Sequence, residues 1–346
     1  MSIVKAFCCL AWLCSSIGAT PALAEITGQQ RAQAAGRAIL GAPGPRLLLK
    51  TIDGDAIDLG SLYGKKAVYL KFWATWCSPC RQQMPHFEHA YKTAGADLAV
   101  IAIDVGFNDS IEAIRAYRKQ LGITMPIVFD DGRLGAAFHL RVTPTHIVIG
   151  RDGRIQYISH LADKDLDHAL LAARTPTTRG PQAAAIANND PPPVGVGDLL
   201  PNQSLRTLDG RRFEFRHSAA QIKKLTVLVF LSPWCESYLA TTRPEVSAQC
   251  RSIRTQVSAL ADDQRIRWLG IASGLWANFE DLRQYRTEYQ VKIPLTLDAS
   301  GGEFRAFRVN DVPTVLIADA GGRIVRRIEG STTLDAAALR SAVKNM

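Results

Sequence analysis

Beyond its first two dozen residues, the chain has no apolar run approaching the 18 or more residues of a membrane span. It also lacks a basic stripe interleaved with aromatics, which argues against a nucleic-acid surface. Its basic residues are scattered apart from short runs such as Arg211-Arg212, Lys223-Lys224 and Arg326-Arg327. The net charge of +9 therefore reads as a solvated positive surface. Cysteine is scarce, with seven in 346 residues, and Cys8, Cys9 and Cys14 all fall in the N-terminal segment. Hydrophobic residues make up 47%, which supports real cores and argues against disorder, and the length suits about two domains.

Residues 1–24 read as a secretory signal. Lys5 supplies the positive charge, Ala6 to Ile17 a short apolar core, and Ala22-Leu23-Ala24 a small-x-small cleavage site. The mature chain is expected to begin near Glu25. An uncleaved anchor is the competing reading, but the apolar core is short for a span. Trp12 and Leu13 are poor neighbours for lipid attachment at Cys14. Export points to the periplasm. It leaves Cys77, Cys80, Cys235 and Cys250, and two structural disulfides are one option in an oxidising compartment.

The rest of the chain repeats itself. After an Ala/Gly/Gln-rich leader at 25–42, the expected units are 43–174 and 197–346, joined by a Pro/Ala-rich linker at 175–196 that contains Pro191-Pro192-Pro193. Leu49 to Leu59 matches Leu205 to Phe215, each an Asp-Gly hairpin signal. The apolar runs Ala67 to Trp73 and Leu225 to Leu231 are each followed by Trp-Cys. Ala137-Phe138 precedes Val142-Thr143-Pro144-Thr145 at the spacing by which Ala306-Phe307 precedes Asp311-Val312-Pro313-Thr314. Strand-like runs alternate with helical patterns such as Ser110 to Leu121, where Ser110 is a cap, and Asn278 to Tyr289. This alternation predicts βαβ units and a mainly parallel sheet in each half. A flexible linker of about twenty residues spans roughly 25 Å, enough for the two active-site faces to meet.

Cys77-Ser78-Pro79-Cys80 stands where an apolar strand hands over to a helix. Unpaired N–H groups at a helix N-terminus favour a thiolate at Cys77, and the two-residue spacing lets Cys80 reach it. Cys77 is thus the attacking sulfur and Cys80 the resolving one. Metal binding is the competing reading of this pair, because Met84, His86 and His89 follow closely. Only a bent helix would gather those side chains, and solvent exposure is the simpler expectation for the histidines.

The stretch Phe72-Trp73-Ala74-Thr75-Trp76-Cys77-Ser78-Pro79-Cys80 resembles the active site of the thioredoxin superfamily, specifically the exported TlpA/ResA-like thiol–disulfide reductases. Pro85 resembles the proline that kinks the active-site helix, and Thr143-Pro144 the pair whose cis-proline faces the disulfide. The resemblance covers Pro45 to Ala173 in full and Gly197 to Lys344 in outline. It implies an α/β fold of two tandem thioredoxin-like units, each a central mixed sheet flanked by helices. It further implies an enzyme that reduces or isomerises protein disulfides and docks clients at Trp76, Thr143 and Pro144. Expected partners are exported thiol or disulfide proteins and a membrane-bound electron donor, with no cofactor, metal or nucleic acid. The chain departs from the family pattern twice. Lys71 stands where a buried acid is usual, so either it points outward or another group handles the proton. Gln83 stands where a glutamate is frequent. Glu88 and Asp104 are candidates by position only, with a surface placement expected for each.

In the second half Cys235 aligns with Cys77, but Tyr238 replaces the resolving cysteine. A continuous helix would hold Cys250 roughly 22 Å from Cys235, and Pro244 is not expected to close that gap. Cys250 is therefore expected to be a buried small hydrophobe. A possible second site comprises Cys235, Val312 and Pro313. Three readings stand: a docking or structural module, a cysteine that forms mixed disulfides resolved elsewhere, and a one-cysteine peroxidase. The last draws on Ser232, three residues upstream as in peroxiredoxins, although Leu228 stands where their proline would be.

Overall fold

The computed structural model describes residues 27–176, 178, 180–185, 192–215 and 224–334. The signal segment and its three cysteines lie outside the described residues, as does much of the linker. Among the described residues no helix is long and apolar enough to cross a membrane.

The first half runs α1 (Gly28–Gly36), β1 (Pro45–Arg46), β2 (Leu48–Lys50), β3 (Ala56–Asp58), α2 (Leu59–Leu62), β4 (Ala67–Trp73), α3 (Ser78–Gln82), α4 (Met84–Lys92), β5 (Leu98–Asp104), α5 (Ile111–Leu121), β6 (Ile127–Phe129), α6 (Arg133–Ala137), β7 (Thr145–Ile149), β8 (Ile155–Ser159) and α7 (Lys164–Ala173). In the linker, β9 (Ala184–Ala185) pairs with β1. The second half repeats the plan with β10 (Ser204–Arg206), β11 (Arg212–Glu214), β12 (Leu225–Leu231), α8 (Cys235–Thr242), α9 (Pro244–Leu260), β13 (Ile266–Ser273), α10 (Phe279–Glu288), β14 (Leu295–Asp298), α11 (Gly302–Ala306), β15 (Thr314–Ala318) and β16 (Ile324–Glu329).

Each half holds a five-stranded sheet of the same order, β6-β5-β4-β7-β8 and β14-β13-β12-β15-β16. In each sheet the first two pairings are parallel and the last two antiparallel, so the sheets are mixed and the two folds are tandem thioredoxin-like units. The central strands β4 and β12 are buried along their whole length, which is why, Lys71 and Thr226 apart, they read as apolar runs rather than alternating ones. In β4, Val68, Leu70 and Phe72 pack on one face with Ile101, Ile103, Ile147 and Ile149. Tyr69 and Trp73 turn to the other face, where Met84 and Phe87 of α4 cover them. Each such large apolar side chain contributes about 1.5–3 kcal/mol by leaving water.

Local chemistry sets the boundaries. Gly54 and Gly210 take the positive φ (99° and 77°) that the two Asp-Gly hairpins require. Ser110 Oγ accepts the Ala113 N–H to open α5, and Gly122 closes it at φ 64°. Asn278 opens α10 with a capping box to Asp281.

The two halves meet by their active-site ends, through reciprocal contacts. Asn108 and Trp276 each lie four residues past the end of an equivalent central pairing, and both have positive φ, 49° and 57°. Asn108 N–H donates to Asn310 O at 2.8 Å, and Trp276 N–H donates to Arg141 O at 2.7 Å. Arg141 and Asn310 each stand three residues before a cis-proline. The same pseudo-symmetry stacks Trp76 on Trp234, with centroids 5.1 Å apart, and each indole donates to a carbonyl of its own half, Phe107 O and Leu275 O. From the leader, Arg31 reaches across to Asp281 at 2.9 and 3.0 Å.

Trp234 also touches Phe107, so two of its ring contacts, to Trp76 and Phe107, cross between the halves. Trp234→Ala is expected to cost about 2–4 kcal/mol of association. With a protease site inserted at 188–189 and cut, the parent halves should co-elute on size exclusion, whereas the variant's halves should separate.

Candidate active site

Strand β4 delivers Trp76-Cys77 to the end of the sheet. Cys77 is the N-cap of α3, and its Sγ accepts the Cys80 N–H at 3.2 Å. Pro79 sits in the first turn, where a missing N–H costs nothing. The two cysteines are joined as a disulfide, with Cα atoms 5.2 Å apart. The Thr143–Pro144 peptide bond is cis, as is Val312–Pro313 in the other half. The helix after Cys77 is broken at Gln83 into α3 and α4. The break does not bring the histidines to the sulfurs: His86 Nε2 pairs with Asp167 at 2.9 Å, and His89 is exposed.

Beneath the pair lies a buried polar layer. Lys71 points inward and is fully buried. Its Nζ donates to Cys80 O at 3.3 Å and lies 5.3 Å from the centre of the Phe87 ring. Burial pulls this amine down to about 7. On the neighbouring strand His146 is fully buried. Its Nδ1 meets Tyr69 OH at 2.7 Å and its Nε2 meets Gln83 Oε1 at 2.7 Å. Burial, reinforced by Lys71, holds the imidazole well below its ordinary value, so it is neutral. Gln83 continues to His160 O, and His160 Nδ1 contacts Pro144 O at 2.7 Å, which ties the layer to the cis-proline.

The two acids expected at the surface are both buried. Asp104 is 0% exposed, one oxygen accepting the Gly106 N–H and the other without a partner among the described residues. Burial drives its carboxyl well above the usual range, and the nearby Asp109 adds to this. Asp104 is buried because β5 is covered on both faces, which one strand's sequence does not reveal. Glu88 serves structure, accepting from Thr124 N–H and from Thr124 Oγ1 at 2.5 Å.

The second half closes over the pair. Cys77 is only 1% exposed and Trp76 only 2%. Tyr238 OH accepts the Ser78 N–H at 3.2 Å. Arg243 donates to Thr75 Oγ1 at 2.5 Å and lies 3.3 Å from Asp109. Trp276 Nε1 donates to Thr143 Oγ1 at 3.2 Å. The edge from Arg141 to Pro144, where the sequence leads one to expect a client, is thus occupied by Trp276. Cys77 lines a cleft walled by Arg81, Tyr117, Thr242 and Arg243. Nothing in the sequence singled out Trp276, Tyr238 or Arg243 for this task.

The second-half cysteines differ most from expectation. Cys235 and Cys250 form a disulfide, with Cα atoms 6.3 Å apart across a separation of 15 residues. The estimate of roughly 22 Å fails because the helix is not continuous. Arg243 leaves helical geometry (φ −144°, ψ 66°), α8 stops at Thr242, and Pro244 begins α9 in a new direction. A free, hydrophobe-like Cys250 and an isolated Cys235, the premise of a one-cysteine peroxidase, are both overturned.

The family model described as AhpC/TSA family matches residues 40–158. The thioredoxin-like protein YneN of Bacillus subtilis is 34% identical over 133 residues, covering 38% of this chain and 78% of that protein. The thiol-disulfide oxidoreductase ResA of the same organism is 32% identical over 33% of this chain and 64% of its own length. Among solved structures, a thiol:disulfide interchange protein from Chlorobium tepidum covers 38% of this chain and 96% of its own at 28% identity, with a TM-score of 0.35. The chain belongs to the thioredoxin-like family, and within it to the thiol–disulfide oxidoreductases. It is an enzyme of that class, with Cys77 and Cys80 as its CxxC pair.

Lys71 gives stability a pH dependence. The unfolded chain keeps the Lys71 proton up to about its ordinary 10.5, while the folded chain releases it near 7. Between those values the unfolded state binds more protons, so stability rises with pH; below 7 the penalty of the buried ammonium is fully present. With both disulfides oxidised, the unfolding free energy of the parent should climb from pH 7 to 10 relative to Lys71→Met, by up to ~1.4 kcal/mol per unit. Parallel urea-derived curves would show that folding does not shift the amine.

Proposed function

We propose that the chain is an exported oxidoreductase that reduces or isomerises the disulfides of other exported proteins, with Cys77 attacking and Cys80 resolving. The observation that carries this reading is the cap: Cys77 Sγ already accepts the Cys80 N–H, so negative charge on that sulfur is met by a donor in place. Cys77 thiolate attacks a client disulfide, the client's second sulfur leaves as a thiolate, and a mixed disulfide remains. The Cys80 thiol then gives its proton to the neutral Lys71 amine beneath it and attacks Cys77 Sγ, releasing the reduced client. The Cys77–Cys80 disulfide that results is reopened by an external dithiol, for which a membrane-bound electron donor is the expected source. Residues 1–24 support export. A client strand takes the edge at Thr143 and Pro144, beside Trp76, by displacing Trp276.

A binding role is the second reading, favoured by how thoroughly the second half covers that edge. Replacing Cys77 and Cys80 together separates the two: a pure docking protein keeps its effect on clients, and a reductase loses it.

Three outcomes are expected. After reduction at neutral pH, limited alkylation followed by mass spectrometry should label Cys77 before Cys80, and the reverse order would exchange their roles. Cys80→Ser should accumulate mixed disulfides, visible on non-reducing gels. Trp276→Ala should raise the alkylation rate of reduced Cys77 about tenfold, the size of one lost charge-free contact plus ring; an unchanged rate would mean that the edge is not guarded.

A further inference from the structure

The disulfide of the second half sits in a setting that a simple staple does not need. Cys235 occupies the place of Cys77, as the first residue of α8, after the buried strand β12 and in a half with its own cis-proline, Pro313. Cys250, on α9, lines a cleft whose wall also includes Ser232, Glu236, Arg254 and Pro313. Ser232 is 3% exposed, and its hydroxyl has no hydrogen-bond partner among the described residues. A buried, unsatisfied hydroxyl is expensive unless something arrives to use it. Glu236 offers little repulsion to an anion here, because Arg254 grips both its oxygens at 2.6 and 3.0 Å and Arg251 lies at 3.8 Å.

We propose that Cys235–Cys250 is a second redox centre, reduced by a low-molecular-weight thiol that enters the cleft beside Ser232. The proposal does not rest on the role given to Cys77 and Cys80. A small thiol fits better than a protein client because the sulfur that the cleft reaches is Cys250 on α9, in a narrow opening walled by Ser232, Glu236 and Arg254. The order of attack is the reverse of that in the first half. Cys235 is 1% exposed and does not line the cleft, whereas Cys250 does. The incoming thiolate attacks Cys250 Sγ, the Cys235–Cys250 bond breaks, and its electron pair leaves on Cys235 at the start of α8, where N–H groups stabilise it. A second thiolate attacks the mixed disulfide at Cys250. Cys250 leaves and is protonated, two electrons have entered the protein, and the small thiol departs as its disulfide. Ser232, unpartnered on the cleft wall among the described residues, donates to the incoming thiolate there.

The test uses the folded full-length protein and dithiothreitol. Samples are quenched in acid over time, alkylated, and each cysteine is quantified by mass spectrometry. Cys235 and Cys250 should become labelled without denaturant. Ser232→Ala should slow this about tenfold, the effect of one hydrogen bond to a charged group, while circular dichroism and the labelling of Cys77 stay as in the parent. The pair should open at the parent rate when Cys77 and Cys80 are both serine. If Cys235 and Cys250 label only after unfolding, the bond is a structural staple and the proposal fails. If opening requires Cys77 and Cys80, entry through the cleft is wrong. Cys77 labelling in the same samples reports separately on the first centre.

Discussion

The carbonyls of Arg141 and Asn310 stand at sheet ends where a thioredoxin-like fold leaves its backbone unpaired. Each such carbonyl seeks a donor, which a partner strand, water or a second chain can supply. Here each half supplies the donor for the other, through Trp276 N–H and Asn108 N–H. Both donors sit on a residue with positive φ, in the loop past the strand beside the central one. That exchange fixes the rest: it stacks Trp76 on Trp234, lays Tyr238 over Ser78, and buries Cys77. The interface resembles a two-fold dimer contact made within one chain, in which equivalent surfaces meet.

A second constraint is the charge under Cys80. Burial pushes an acid upward, as it does Asp104, and so favours its proton-bound form. An amine in the same place is pushed the other way, so burial makes Lys71 a base near pH 7. The substitution of lysine for acid thus keeps a titrating group beside Cys80 while reversing the direction in which burial shifts it. The neutral His146, fixed between Tyr69 and Gln83, adds polarity without adding charge.

Much of this was legible in the residues. The repeat, the Asp-Gly hairpins, the Ser110 cap and the Cys77–Cys80 pair all rest on local rules that tertiary packing did not override. Three features were not legible, each for a physical reason. Lys71 lies in a strand buried on both faces, so alternation carries no information about which way it points. The approach of Cys250 to Cys235 does not follow from distance along a straight helix, because Pro244 alone does not say how far a chain turns; Arg243 leaving helical geometry sets that turn. The meeting of the two halves depends on single backbone donors in loops, which leave no pattern in composition.

Tyr238 connects these features. It stands where the first half has Cys80, and its hydroxyl is spent on the Ser78 N–H of the other half. A cysteine there could not span that distance, so holding the halves together and keeping a CxxC pair in the second half are competing demands on one position. The chain meets the first demand with tyrosine. It meets the second by breaking the helix at Arg243 and bringing Cys250 back from α9. The same Arg243 also reaches Thr75 and Asp109 in the first half. One residue therefore both redirects the chain that closes the second disulfide and anchors the second half beside the first.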